Sequence, residues 1–305
     1  ALRTTAVGYH CLSSNTTGDR NTAVGSEALD ANTNGTRNTA IGTYALGANT
    51  TANDNTAVGD AALIANTTGN YNTAIARAAL SSNTTGQYNV AVGMNALDAN
   101  TTANYNTAVG YNSLGASTTG DGNTACGYGA LLLNTTGTAN TALGTNSLEK
   151  ITTSSHCTSI GYQSMYENTG ANNTALGSNA LHDNTTGIRN TAVGMNTLDA
   201  NTTGSDNTAI GQGSLTVATT ASHNIAVGSQ ALHVTTTGDK NVAVGYQALY
   251  ANTTGSQLCA FGYEALMTSD TESYNNAFGY QALKVANGGR FNTAIGWKNM
   301  AALTK

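Results

Sequence analysis

Apolar residues recur along the chain in pairs, at unequal steps: Val58 and Leu63, Ile75 and Leu80, Val92 and Leu97, Val109 and Leu114. The step is five residues within a pair and twelve from one pair to the next, which makes a period of seventeen. Counted from the Asn of "NTAVG", eighteen copies run from Thr4 to Lys305, with the last truncated and one, Cys157 to Asn172, a residue short. Position 4 of the phrase is apolar in every copy. Position 9 is Leu except at Met165 and Met300, position 3 is Ala except at Ser159, and position 5 is Gly except at Ala76. Such a unit is too short for the helix pairs of TPR, HEAT or ankyrin repeats, which need about 33–47 residues.

Val, Ile and Thr around Ala favour a strand, and the Asn-Thr-Thr-Gly of positions 12 to 15 carries turn chemistry. One phrase therefore predicts one coil of a parallel β-solenoid with two short strands, identical positions stacking about 4.8 Å apart. The fold class is all-β, a single repeat domain over 1–305 of about eighteen 17-residue coils, with an irregular coil near 149–172. Stacked Asn at position 1 predicts side-chain amide ladders. Neighbouring strand residues face opposite ways. With position 4 pointing inward, the core is built from Val92, Leu97, Val109, Leu114 and their equivalents. The Ala column at position 3 (Ala91, Ala108, Ala125) then points outward, as a close contact with another chain would require.

Composition sharpens this picture. There is no proline, as expected where backbone N–H groups are needed for ladder hydrogen bonds. Only 9% of residues are charged, and a charge repeated in every coil would repel its own copies. Position 17 follows that constraint, with Arg37 before Asp54, Arg189 before Asp206, and the aromatic run Tyr71, Tyr88, Tyr105. The net charge of −5 offers no basic stripe for nucleic acid, and no apolar run suits membrane insertion. The chain opens inside a repeat and without an initiator Met, which predicts a piece of something longer or a processed product.

Catalytic chemistry is not suggested. The five His are scattered, and His182 and His233, which share position 10, lie three coils apart. The four Cys occupy four different positions in non-neighbouring coils, which predicts no disulfide; Cys126, at position 4, is expected in the core. No phosphate loop or calcium-binding Gly-Asp repeat is present, so no cofactor is expected. The exposed feature with binding potential is the position-6 column Tyr246, Tyr263, Tyr280 and Trp297, whose rings suit stacking on sugars or on one another. Copies such as Asn66, Asn83, Asn134 and Asn252 form Asn-Thr-Thr glycosylation acceptors, though turn chemistry accounts for them equally.

The phrase Asn-Val-Ala-Val-Gly at Asn89–Gly93 and Asn241–Gly245, and Asn-Ile-Ala-Val-Gly at Asn224–Gly228, resembles the head repeats of YadA-like trimeric autotransporter adhesins. Related β-roll repeats occur in phage tail-fibre-like proteins. The resemblance spans the whole chain but rests on a short motif, and family coils are nearer fourteen residues. It implies a left-handed β-roll, a homotrimer, and an extracellular place on a bacterial surface or virion. The function expected is a structural or adhesive fibre segment, with itself and a host glycan or matrix protein as partners. Two alternatives stand beside it: a self-polymerising filament subunit, and an ice-binding solenoid suggested by the Thr columns at positions 2, 13 and 14.

Overall fold

The computed structural model describes residues 3–286 and 289–303. The chain divides into two compact units, Ala1–Ser155 and His156–Lys305, where the sequence reads as one repeat domain; the division falls inside the irregular stretch 149–172. Each unit is a parallel β-solenoid, and the described residues contain no helix.

In the first unit each coil contributes one three-residue strand, from β1 (Thr5–Val7) through β6 (Val90–Val92), β7 (Thr107–Val109) and β8 (Thr124–Cys126) to β9 (Thr141–Leu143). Successive strands pair in parallel with identical positions opposed, as Ala91 with Ala108 and Val92 with Val109. The second unit repeats the pattern from β10 (Thr158–Ile160) and β11 (Thr174–Leu176) to β17 (Asn276–Phe278). The short coil does not disturb the register, since Thr158 opposes Thr174. The missing residue is absorbed in the turn.

The second strand expected of each coil is replaced by a turn. At positions 7 and 9 the backbone is left-handed, as at Asn95 (φ 56°) and Leu97 (φ 52°), which no strand accommodates. Coil-to-coil hydrogen bonds persist there nonetheless: Leu97 N–H donates to the Ser113 carbonyl at 3.0 Å and Ala99 N–H to that of Gly115 at 3.2 Å. A Leu held left-handed costs about 1–2 kcal/mol. Its complete burial returns about 1.5–3 kcal/mol, so Leu is retained where Asn or Gly would be the local choice. Among the described residues a second ladder forms only in the last coils, β18 (Val285–Ala286) with β20 (Ala302–Leu303).

The strand faces opposite to the sequence-based expectation. Ala91, Ala108 and Ala125 are wholly buried inside the chain's own coils, so they are core and no contact between chains. Val109 is 37% exposed and Val92 half-buried, so the position-4 residues are not core. Leu97 and Leu114 are buried, as expected. The reason is width. The coil interior already holds the position-9 Leu and two buried Asn columns, and beneath the strand only a methyl group fits.

The position-1 Asn column mainly braces backbone, and a continuous side-chain amide ladder runs instead at position 12, from Asn15 to Asn100. At position 1, Asn38 Oδ1 accepts the backbone N–H of Asn55 at 3.0 Å, while its Nδ2 donates to the Ala52 carbonyl at 2.8 Å. At position 12, Asn49 Nδ2 donates both to Asn32 Oδ1 (2.8 Å) and to the Ala52 carbonyl (3.2 Å). Most of these buried amides thus tie one coil to the next and close a turn of their own, although Asn134 closes only its own turn and its Oδ1 is unpaired. Position 5 is glycine for a separate reason. Gly93 lies at φ +137°, and a Cβ there would sit 2.5 Å from the Gly110 carbonyl oxygen of the next coil.

Candidate functional site

With position 3 inside, the outward face of each strand carries position 2, mostly Thr, and position 4, always apolar. Position 4 forms a column of Val24, Ile41, Val58, Ile75, Val92 and Val109 that continues to Cys126 and Leu143 in the first unit. In the second unit the column runs from Ile160 and Leu176 to Phe261 and Phe278. Members between the unit ends run from half-buried, as at Val58, Val92 and Val227, to 45% exposed at Leu176, because each covers part of its neighbour in the stack. Phe261 and Phe278 stack with centroids 5.5 Å apart. Scattered apolar side chains on a surface need no explanation, whereas a continuous column in register is unusual for a face left to water.

Cys126 belongs to this exposed column and not to the core; the buried thiol is that of Cys157, which replaces the position-1 Asn. Cys157 Sγ donates to the Gly170 carbonyl at 3.3 Å, and burial pushes its pKa up.

The column Tyr246, Tyr263, Tyr280 and Trp297 is continuous, with centroid separations of 5.1, 5.3 and 6.2 Å. The rings lie nearly parallel, so neighbours cover the interior ring faces and present edges and hydroxyls outward. At the Trp297 end the Lys298 ammonium lies 4.7 Å from the ring centroid. A second column, Tyr71, Tyr88 and Tyr105, stacks at 4.9 and 5.2 Å.

Beside the aromatics, position 17 carries ion pairs between adjacent coils. Arg37 Nε lies 2.5 Å from Asp54 Oδ1, and Arg189 Nε lies 2.7 Å from Asp206 Oδ1. Hydrogen bonding to the guanidinium lowers the pKa of both carboxyls, and the Arg3 side chain holds Asp19 down to about 2. Position 16 adds a further brace, since Asn53 Oδ1 accepts Thr36 N–H at 2.8 Å and Asn70 Oδ1 accepts Asn53 N–H at 2.7 Å.

The histidines remain separate. His182 Nδ1 is 2.6 Å from Asp183 Oδ1, and His233 Nδ1 is 2.8 Å from the Gly213 carbonyl. Among the described residues no three His, Cys, Asp or Glu side chains converge as a metal-ligand set, and no helix is long and apolar enough to cross a membrane. The Asn-Thr-Thr acceptors are closed in the folded chain, because Asn66, Asn83, Asn134 and Asn252 are fully buried.

The outward apolar column was missed in the sequence, although a signal for it was present. Position 3 is almost always Ala and position 1 almost always Asn, and both lie on one side of the strand. Position 4 accepts Val, Ile, Leu, Cys and Phe, a range of volumes that a narrow core would refuse. No protein-family model matches the chain, and no curated protein was found to be similar in sequence.

Proposed function

We propose that this chain is a structural and adhesive fibre segment, assembled as a homotrimer and displayed on a bacterial surface or virion. The observation that carries the reading is the position-4 column. Copies set side by side in register would bring the same apolar column together at every coil. The flanking Thr column and the scarcity of charge leave little repulsion to oppose the approach. Three copies, rather than two, follow from the resemblance to YadA-like head repeats. The remaining columns, at positions 6, 10, 14 and 17, would stay on the outside, available to partners.

The test is the mass in solution, by light scattering, of the wild type and of a variant carrying Ile41→Lys, Ile75→Lys and Val109→Lys. These alternate coils place the lysines about 9.6 Å apart, near one Debye length at 0.1 M salt, so each coil tolerates its charge. Wild type should weigh three chains, and the variant one, with its circular dichroism retained. A monomeric wild type refutes the assembly. A variant that stays trimeric places the interface elsewhere.

One observation favours a second reading, ice binding. Thr at position 2 and Val or Ile at position 4 share the outward strand face, about 6.8 Å apart along the strand and about 4.8 Å between coils. Thermal hysteresis in a monomeric protein would establish that reading against the fibre.

A further inference from the structure

We propose that the ring face of Tyr105, left open where its column reaches Gly122, is a stacking site for one pyranose ring of a neutral glycan. The site names a ligand class for the adhesive reading and in that sense rests on it.

The geometry is that of an interrupted stack. Tyr71, Tyr88 and Tyr105 are nearly coplanar in orientation, with interplanar angles of 8° and 5°. Tyr88 is stacked on both faces, whereas Tyr105 is stacked on one, and its exposure is 66% against 46% for Tyr88 and 49% for Tyr71. At the next level the column holds Gly122, with φ +68° like the residues before it, and nothing lies within 4 Å of where its Cβ would stand. The coil has not collapsed to fill the space. Gly122 N–H donates to the Asn104 carbonyl at 3.0 Å and Ala139 N–H to the Asp121 carbonyl at 3.1 Å, so the ladder runs through the gap at full spacing. The next side chain in the column is the methyl of Ala139, two coils beyond Tyr105 and about 9.6 Å away at strand spacing. One ring fits between them, at the separation the tyrosines keep from one another.

The surroundings select the ring. Asp121, next to Gly122 in the chain and exposed, uses Oδ1 to accept Asn104 N–H at 2.6 Å, so a carboxylate acceptor for a hydroxyl donor stands beside the gap. A pyranose lays C–H bonds on the phenol face and offers hydroxyls at its rim. A purely apolar ring would remove water from the carboxylate and return no donor. Phosphorylated or sulfated ligands meet Asp121 and a chain of net charge −5. At the end of the other long aromatic column, the Trp297 ring already carries the Lys298 ammonium. The tyrosines below hold the Tyr105 ring in its binding orientation before the sugar arrives, which reduces the ordering cost of binding.

The experiment uses protein labelled with 3-fluorotyrosine, the Tyr105 resonance being assigned by Tyr105→Phe. Methyl β-D-glucopyranoside, methyl β-D-galactopyranoside and methyl N-acetyl-β-D-glucosaminide are titrated to tens of millimolar, the range suited to one stacking contact. At least one should shift Tyr105 saturably while Tyr71 and Tyr88 stay in place. Gly122→Tyr fills the level with the residue the column already carries three times, so the variant folds. It should weaken binding at least tenfold. If no glycoside moves Tyr105, or if Gly122→Tyr binds as wild type does, the proposal is overturned. The oligomeric mass is read separately, so loss of the trimer and loss of the sugar site are distinct results.

Discussion

Ala76 is the one place where the phrase breaks its own glycine rule, and the structure shows the consequence. Gly59 and Gly93, in the coils on either side, sit at φ +141° and +137°, while Ala76 sits at +106°. Its backbone bond is kept, with Ala76 N–H donating to the Val58 carbonyl at 2.8 Å. The side chain has therefore turned the backbone without breaking the ladder. A residue with a Cβ held in this region costs roughly 1–3 kcal/mol. Ala76→Gly releases that strain and gives back about 0.4–1 kcal/mol through the greater freedom of glycine in the unfolded chain. The net expectation is a gain of about 1–2 kcal/mol, or roughly 3–6 °C in melting temperature for a unit of this size. The reverse change, Gly110→Ala, places a Cβ 2.5 Å from the Gly127 carbonyl oxygen and should lower the melt by at least as much. Thermal unfolding by circular dichroism measures both. A melting temperature unchanged or lowered in Ala76→Gly would refute the argument that contact between coils fixes glycine at position 5.

Three other outcomes are expected. Ala108→Leu overfills the narrow interior and should cost about 1–3 kcal/mol or more in the melt of the single chain; an unchanged melt would mean that position 3 faces outward after all. Asn89→Ala removes the acceptor that Asn106 N–H uses at 3.0 Å and leaves that buried N–H unpaired, while the Ala103 carbonyl loses its 2.8 Å donor but keeps Asn100 Nδ2 at 3.2 Å. The melt should fall by about 1–3 kcal/mol for the unpaired N–H, and Asn89→Asp, which sets a buried carboxylate against the Ala103 carbonyl, should recover none of the loss at neutral pH; full recovery would mean that the site is open to water. Stability should be greatest on the acid side of neutrality. Burial raises the pKa of Asp98, and burial with the nearby charge of Asp183 raises that of Asp199, so stability declines as pH rises through their values. Asp54, Asp206 and Asp19 are lowered by arginine partners, so their contribution, present above the ordinary carboxylate value, is lost as pH falls through the lowered pKa values, reaching about 2 for Asp19. A melting profile with its maximum at or above pH 7 would contradict this balance.

The period, the strand at positions 2 to 4, the buried Leu at position 9 and the charge pairing at position 17 were all legible in the chain. Each depends on what a residue meets one period away, and an in-register stack makes that neighbour readable from the sequence alone. Strand alternation was legible too, in that positions 3 and 4 had to face opposite ways. Which of them faced inward was not. Hydrophobicity alone puts Val92 inside and leaves Ala91 for a contact. The interior, however, is set by the whole coil, where Leu97, Asn89 and Asn100 close around the space beneath the strand and leave room only for a methyl group. Likewise the second apolar run looked like a strand, because its left-handed backbone at Asn95 and Leu97 is imposed by closing the coil in seventeen residues. The gap at Gly122 is visible in the sequence as one Gly among 35. Only the stack of rings leading up to it, and the ladder that holds the coil open beyond, make it a site. Local periodicity decided which residues become neighbours; the cross-section of the closed coil decided which of them water can reach.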